Sequence, residues 1–210
     1  MFKHTLLDFV LTAISMFYTI PISANGLYSQ SEINLTSNWS EFQDAPSFSA
    51  EYYDAVTSIK NQQKTGSCWA FAFCGATETS LIKQGYADNT IDLSEQHFSW
   101  YTHEREGLNA YTIPTGANTI LDQIDSGLGF TYDDGCLPNL WGCYYDREDR
   151  YDTEFEVVSK RRRFRPAVAD IKQMILDYGS VAAVFYIDKD YMSDSKYYYC
   201  KENMVTNHWV

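Results

Sequence analysis

Apolar and small residues mark out the elements of this chain. From Cys68 onward, small and bulky side chains alternate through CWAFAFCGATETSLIKQG, which predicts a helix stopped by Gly85. Ala72, Ala76 and Thr79 leave room there for a close neighbour. The run DLSEQHF predicts a second helix start, with Ser94 as its cap and Glu95 favoured near the positive helix end. A third helix is predicted over Ala117 to Asp125, with Ile120, Leu121 and Ile124 on one side and Gly127 as its stop. A fourth follows Pro166, carries Ile171, Met174 and Ile175 as an apolar stripe, and ends at Gly179. Val181 to Ile187 is continuously apolar and reads as a buried strand. Helices crowd the first half and strands come with the second, so the expected class is α+β, with a helical lobe and a sheet lobe.

The first 46 residues read differently. Lys3 and His4 precede an apolar stretch from Leu6 to Ile20, broken by Asp8 and a few hydroxyl side chains. Ile22-Ser23-Ala24 after Pro21 has the small residues of a cleavage site, so residues 1–24 read as a secretory signal cut after Ala24. An uncleaved anchor is the alternative, although the stretch is short for a membrane span. Residues 25–46 are rich in Ser, Asn and Glu and read as an irregular polar leader. Asn34 and Asn38 there fit the glycosylation acceptor pattern. The expected location is secreted or exported, or a lysosome-like compartment.

Composition narrows the function. With 45% hydrophobic residues in 210, the chain has enough apolar surface for a core. A net charge of −12 opposes binding to phosphates, so no nucleic-acid partner is expected. One basic cluster, Lys160 to Arg165, is either a solvated strand or loop face or a docking site for an acidic partner. The five cysteines are Cys68, Cys74, Cys136, Cys143 and Cys200, an odd number that leaves at least one free thiol in an exported protein. Cys136 and Cys143 bracket a short loop and are a candidate disulfide. Zinc held by Cys136, Cys143, Cys200 and His208 fits no common ligand spacing.

Cys68 is either a reactive nucleophile or a structural thiol at a helix start. A cysteine attacks a carbonyl only as thiolate, and a helix N-terminus favours that form. Four histidines are present; His4 lies in the signal, and His97 and His103 lie in or near a helix. His208, in TNHWV, sits on a predicted strand. Cys74, six residues into the helix, reads as a packed core thiol.

The segment SIKNQQKTGSCWAFAF resembles the nucleophile segment of the papain-like cysteine peptidases. That family places a histidine about 130–150 residues after the cysteine, and His208 follows Cys68 by 140. The LSEQ at Leu93 to Gln96 and the NHWV at the end support the likeness, which runs from residue 47 to 210. The resemblance implies a two-lobed α+β fold with an active-site cleft, no cofactor and a peptide or protein substrate. It implies Cys68 as nucleophile, His208 as general base and acid, and Gln62 with the Cys68 backbone N–H as oxyanion donors. Gly66, Trp69, Gly116 and Asn207 are the positions it puts beside the substrate, with Trp69 also read as a packing residue.

The departures are specific. Thr65 replaces the first cysteine of the motif, and Tyr101 stands where its disulfide partner is expected. The sequence ends two residues after His208, ahead of the family's Asn-Ser-Trp segment with its third catalytic residue. The expectation is therefore a piece of a longer peptidase with an incomplete β-barrel-like lobe. The leading function is a cysteine endopeptidase acting through a thioester. The alternative is a catalytically inactive papain-like module that binds peptides or serves as a surface for interaction. A transacylase with the same Cys-His pair is not separable by sequence, and no stable membrane insertion is expected.

Overall fold

The computed structural model describes residues 12–21, 39–42, 44, 48–63, 65–102, 117–133, 135, 153–164, 167–193, 197–198 and 207–210. The described residues contain four α-helices: α1 (Cys68–Lys83), α2 (Glu95–Thr102), α3 (Ala117–Asp125) and α4 (Val168–Tyr178). The strands are β1 (Thr12–Pro21), β2 (Phe155–Phe164), β3 (Ala182–Phe185), β4 (Met192–Ser193), β5 (Tyr197–Tyr198) and β6 (His208–Trp209). The class is α+β, as expected; the starts of all four helices, and the ends of α1, α3 and α4, fall within a residue or two of their sequence signals, and no signal marks the end of α2.

Local chemistry explains those ends. Gly85 and Gly179 carry φ of 76° and 105°, a left-handed region that costs glycine little. A Cβ on Gly179 would also stand 3.0 Å from the Thr79 carbonyl oxygen, so α4 closes tightly on α1 there. Ser94 Oγ accepts from the His97 backbone N–H at 3.0 Å, an N-cap bond for α2. At α4 the Asp170 carboxylate accepts from the Ala167 N–H at 3.1 Å.

The main sheet runs β2-β1-β3-β6, antiparallel throughout. Strand β1 pairs with β2 from Thr12↔Phe164 to Pro21↔Phe155 and with β3 at Thr12↔Val184 to Ile14↔Ala182. A strand from the apolar N-terminal stretch thus lies inside the sheet, where the sequence reading put no strand in the first half. A short apolar run rich in Thr, Ile, Phe and Tyr fits a buried strand as well as it fits a signal core, and periodicity cannot separate the two. Lys160 to Phe164 of the basic cluster belong to β2, and Arg165 lies outside the described residues. Strand β3 is shorter than the predicted Val181–Ile187.

The core sits between the sheet and the helices, with α1 against β1, β3 and β6. Trp69, Phe73, Phe98 and Phe130 are fully or almost fully buried in it. The Phe98 and Phe130 rings stack at 4.6 Å. Trp39 falls in the segment read as an irregular polar leader, yet it is 1% exposed and begins a 3-10 turn, Trp39–Phe42. Its ring lies 4.8 Å from that of Phe48, and the Lys83 ammonium stands 5.4 Å over it. Average polarity hid these aromatic anchors. A charge cluster centred on partly buried Lys60 ties α1 to the segment before α2, with Glu78 and Glu95 buried and Asp92 exposed. Lys60 Nζ lies 2.6 Å from Glu78 Oε1, 2.5 Å from Asp92 Oδ1 and 3.0 Å from Glu95 Oε1. Glu78 also accepts from the Thr57 hydroxyl and the Leu93 N–H. Among the described residues, no helix is long and apolar enough to cross a membrane.

Candidate active site

Cys68 is the first residue of α1, with buried Ser67 as its N-cap and the bend at Gly66 before it. The first N–H groups of a helix have no acceptor within it, so partial positive charge gathers where the thiol stands. The thiol is free and partly exposed. Cys74 is also free but fully buried, and burial, with Glu95 adding, pushes its pKa well up. One helix thus carries an accessible thiol at its start and a neutral, enclosed thiol two turns on. Trp69 has no exposed surface and its ring packs 6.0 Å from that of Phe98. It is a packing residue and offers no surface to a substrate.

The loop before Cys68 is closed on itself. Gln62 Nε2 donates to the Thr65 carbonyl at 2.8 Å, and the Thr65 hydroxyl donates to the Gln62 carbonyl at 2.6 Å. The Thr65 N–H adds a longer bond, 3.3 Å, to the same Gln62 oxygen. Gln63, at φ 56°, makes the reversal, held by its N–H donating to Asn61 Oδ1 at 2.8 Å. Gln62 and Thr65 are therefore fastened to each other in the short segment that leads through Gly66 to Cys68.

His208 arrives from the sheet. It pairs in register with Phe185, and the two rings meet edge-on at 6.1 Å. Successive strand residues face opposite ways. Trp209 enters the core against Phe73 of α1, centroids 5.5 Å apart, and His208 is left half-buried on the other face. Burial lowers its pKa, favouring the neutral imidazole. Among the described residues, His208 and Cys68 exchange no hydrogen bond. Asn207 is exposed and its side chain is engaged at both ends. Oδ1 accepts from the Ile187 N–H at 2.8 Å, and Nδ2 donates to the Ile187 carbonyl at 3.1 Å. Asn207 thereby fastens β6 to the end of β3, a structural task the sequence reading missed.

Gly116, His103, Cys136, Cys143, Cys200 and both glycosylation acceptors lie outside the described residues, and with them the proposed disulfide and zinc set. His97 proves to be a core residue, 2% exposed, against Tyr101 at 4.8 Å. A cavity of about 380 Å³ between α4 and the Phe42–Phe48 aromatics includes none of Gln62, Cys68 and His208 among its lining residues.

The model of the papain family of cysteine proteases matches residues 46–210, and the chain belongs to that family. A 43-residue stretch is 54% identical to ananain of Ananas comosus, covering 20% of this chain and 12% of that protein. Over 43 residues the chain is 46% identical to cysteine proteinase 7 of Dictyostelium discoideum, covering 20% of this chain and 9% of the relative. Falcipain-2b of Plasmodium falciparum is 30% identical over 132 residues, 59% of this chain and 26% of that protein. The chain thus spans about a quarter or less of the length of these curated relatives. No solved structure matches it.

Proposed function

We propose that this protein is a cysteine endopeptidase in which Cys68 is the nucleophile and His208 the acid and base. The observation that carries the reading is the free, partly exposed thiol at the first position of α1, preceded by a loop in which the Gln62 side chain is bonded to the Thr65 carbonyl. His208 takes the proton of the Cys68 thiol, the resulting thiolate attacks a peptide carbonyl carbon, a C–S bond forms, and the carbonyl π electrons move to oxygen. The Cys68 N–H, free of an intrahelical acceptor, and the Gln62 amide stabilise that oxyanion. As it collapses, the C–N bond breaks and the His208 imidazolium gives its proton to the leaving amine. Water then attacks the thioester, His208 takes its proton, and the C–S bond breaks to return the thiolate. The family's two lobes, the cleft between them and the placing of Gly66 and Gly116 along a peptide belong to the same proposal.

Hydrolysis of a peptide amide by the wild-type chain, lost in Cys68→Ala and reduced in His208→Ala, tests the reading. Turnover that survives Cys68→Ala removes it. A wild-type chain that binds peptides without cleaving them selects the inactive-module alternative. Export with a cut after Ala24 is part of the proposal as well. Such a cut removes β1, so this part of the proposal requires the sheet to stand without that strand, and N-terminal sequencing of secreted material decides the point.

A further inference from the structure

We infer that Thr65 is the positioning residue for the Gln62 amide, a task its hydroxyl performs without a covalent cross-link. The inference rests on the proposed peptidase reading only for what the Gln62 amide does; the contacts themselves are independent of it.

The proton count fixes the direction of the network. The Thr65 hydroxyl has one proton, and it is given to the Gln62 carbonyl at 2.6 Å. The Thr65 and Ser67 hydroxyl oxygens lie 2.5 Å apart, so Ser67 must be the donor of that bond. Ser67 is fully buried and is the N-cap of the helix that begins at Cys68. A directed chain therefore runs from the cap of α1 through the Thr65 hydroxyl to the backbone of Gln62. The return path is the Gln62 side chain, whose Nε2 donates to the Thr65 carbonyl at 2.8 Å.

This arrangement uses one of the two Nε2 protons as an anchor. The second has no acceptor among the described residues. An amide held by one proton and open at the other is a preorganised donor, because it need not be ordered when charge develops on a substrate oxygen. Neither backbone torsions nor apolar packing alone would hold it, since Gln62 and Thr65 are both only half-buried. Removing the Thr65 hydroxyl deletes its bonds to Ser67 and to the Gln62 carbonyl, and the anchoring carbonyl of Thr65 is then free to turn.

Four measurements on the full chain test this. Thr65→Val should lower kcat about tenfold or more with KM changed little, because a misplaced oxyanion donor is felt mainly in the transition state. Thr65→Ser should recover most of the loss. In a Gln62→Ala background, Thr65→Val should cost almost nothing further, since the group it positions is gone. Equal losses with and without Gln62, or no rescue by serine, would overturn the inference. The fourth readout needs no turnover. In ¹⁵N-glutamine-labelled protein, the anchored Gln62 side-chain proton should exchange slowly in wild type and quickly in Thr65→Val. Unchanged exchange overturns the inference. Lost protection in a chain without peptidase activity upholds the positioning and removes the proposed function instead. If Thr65→Val does not fold, Thr65→Ala serves as the hydroxyl-free variant.

Discussion

The rings of Phe73 and Trp209 meet edge to face with centroids 5.5 Å apart, and this contact fastens the strand carrying His208 to the helix that begins at Cys68. Both side chains are buried, Phe73 completely and Trp209 to 7% exposure. Trp209→Ala should destabilise the chain by about 3–5 kcal/mol, the usual cost of emptying a large aromatic site. Trp209→Phe should cost less and keep more of any hydrolytic activity. Urea unfolding of the three proteins checks the order. If Trp209→Ala is as stable as wild type, β6 is not held to α1 as described.

The two thiols of α1 should react at very different rates. Cys68 is partly exposed at the helix start, and Cys74 is enclosed with its pKa pushed well up by burial. Brief iodoacetamide treatment at neutral pH should modify Cys68 first, with Cys74 following only as the protein opens. Peptide mapping reads the sites. Equal labelling of both would contradict the burial of Cys74.

Glu95 should give folding stability a pH dependence of its own. Lys60 Nζ donates to Glu78 at 2.6 Å and stands 3.0 Å from Glu95 Oε1, so its charge and hydrogen bonding favour the ionised form of Glu95. Burial is the leading cause that raises its pKa to about 7 from 4.5, with the Lys60 charge opposing. Between those values the folded state binds the extra proton, so this contribution is fully present below pH 4.5 and is lost as pH rises through 7. The window corresponds to a change on the order of 3 kcal/mol. Denaturant unfolding across it should show the stability of wild type falling relative to Glu95→Gln. Parallel profiles would mean that Glu95 is ionised throughout.

Deleting residues 1–24 should weaken the sheet. Strand β1 pairs with β2 at nine positions and with β3 at three, and its loss leaves two strand edges unpaired. Net hydrogen-bond contributions of about 1 kcal/mol each, set against a typical total of 5–15 kcal/mol, make that loss a large fraction of the stability. Thermal unfolding should shift strongly downward or lose its cooperativity, with more binding of a hydrophobic dye. An unchanged transition would show that the sheet stands without β1, as a cut after Ala24 requires.

Sequence alone determined what local chemistry determines. Gly85, Ser94, Gly127 and Gly179 mark helix ends because backbone torsions and unpaired helix-end groups depend on near neighbours. The GSCW segment with Gln62 placed Cys68 at a helix start, and the same segment carried the family. The tertiary structure decided what depends on distant partners. Residues 12–21 became an interior strand because β2 and β3 pair with them, and nothing inside that stretch distinguishes a strand from a signal core. Trp39 became a core residue because Phe48 and Lys83 close over it. Asn207 became a clamp because Ile187 presents both a donor and an acceptor, and Thr65 became a tether because the reversal at Gln63 turns it back onto Gln62. Each of these rests on a contact between groups whose meeting the chain as a whole arranges, and a linear pattern carries no record of such meetings.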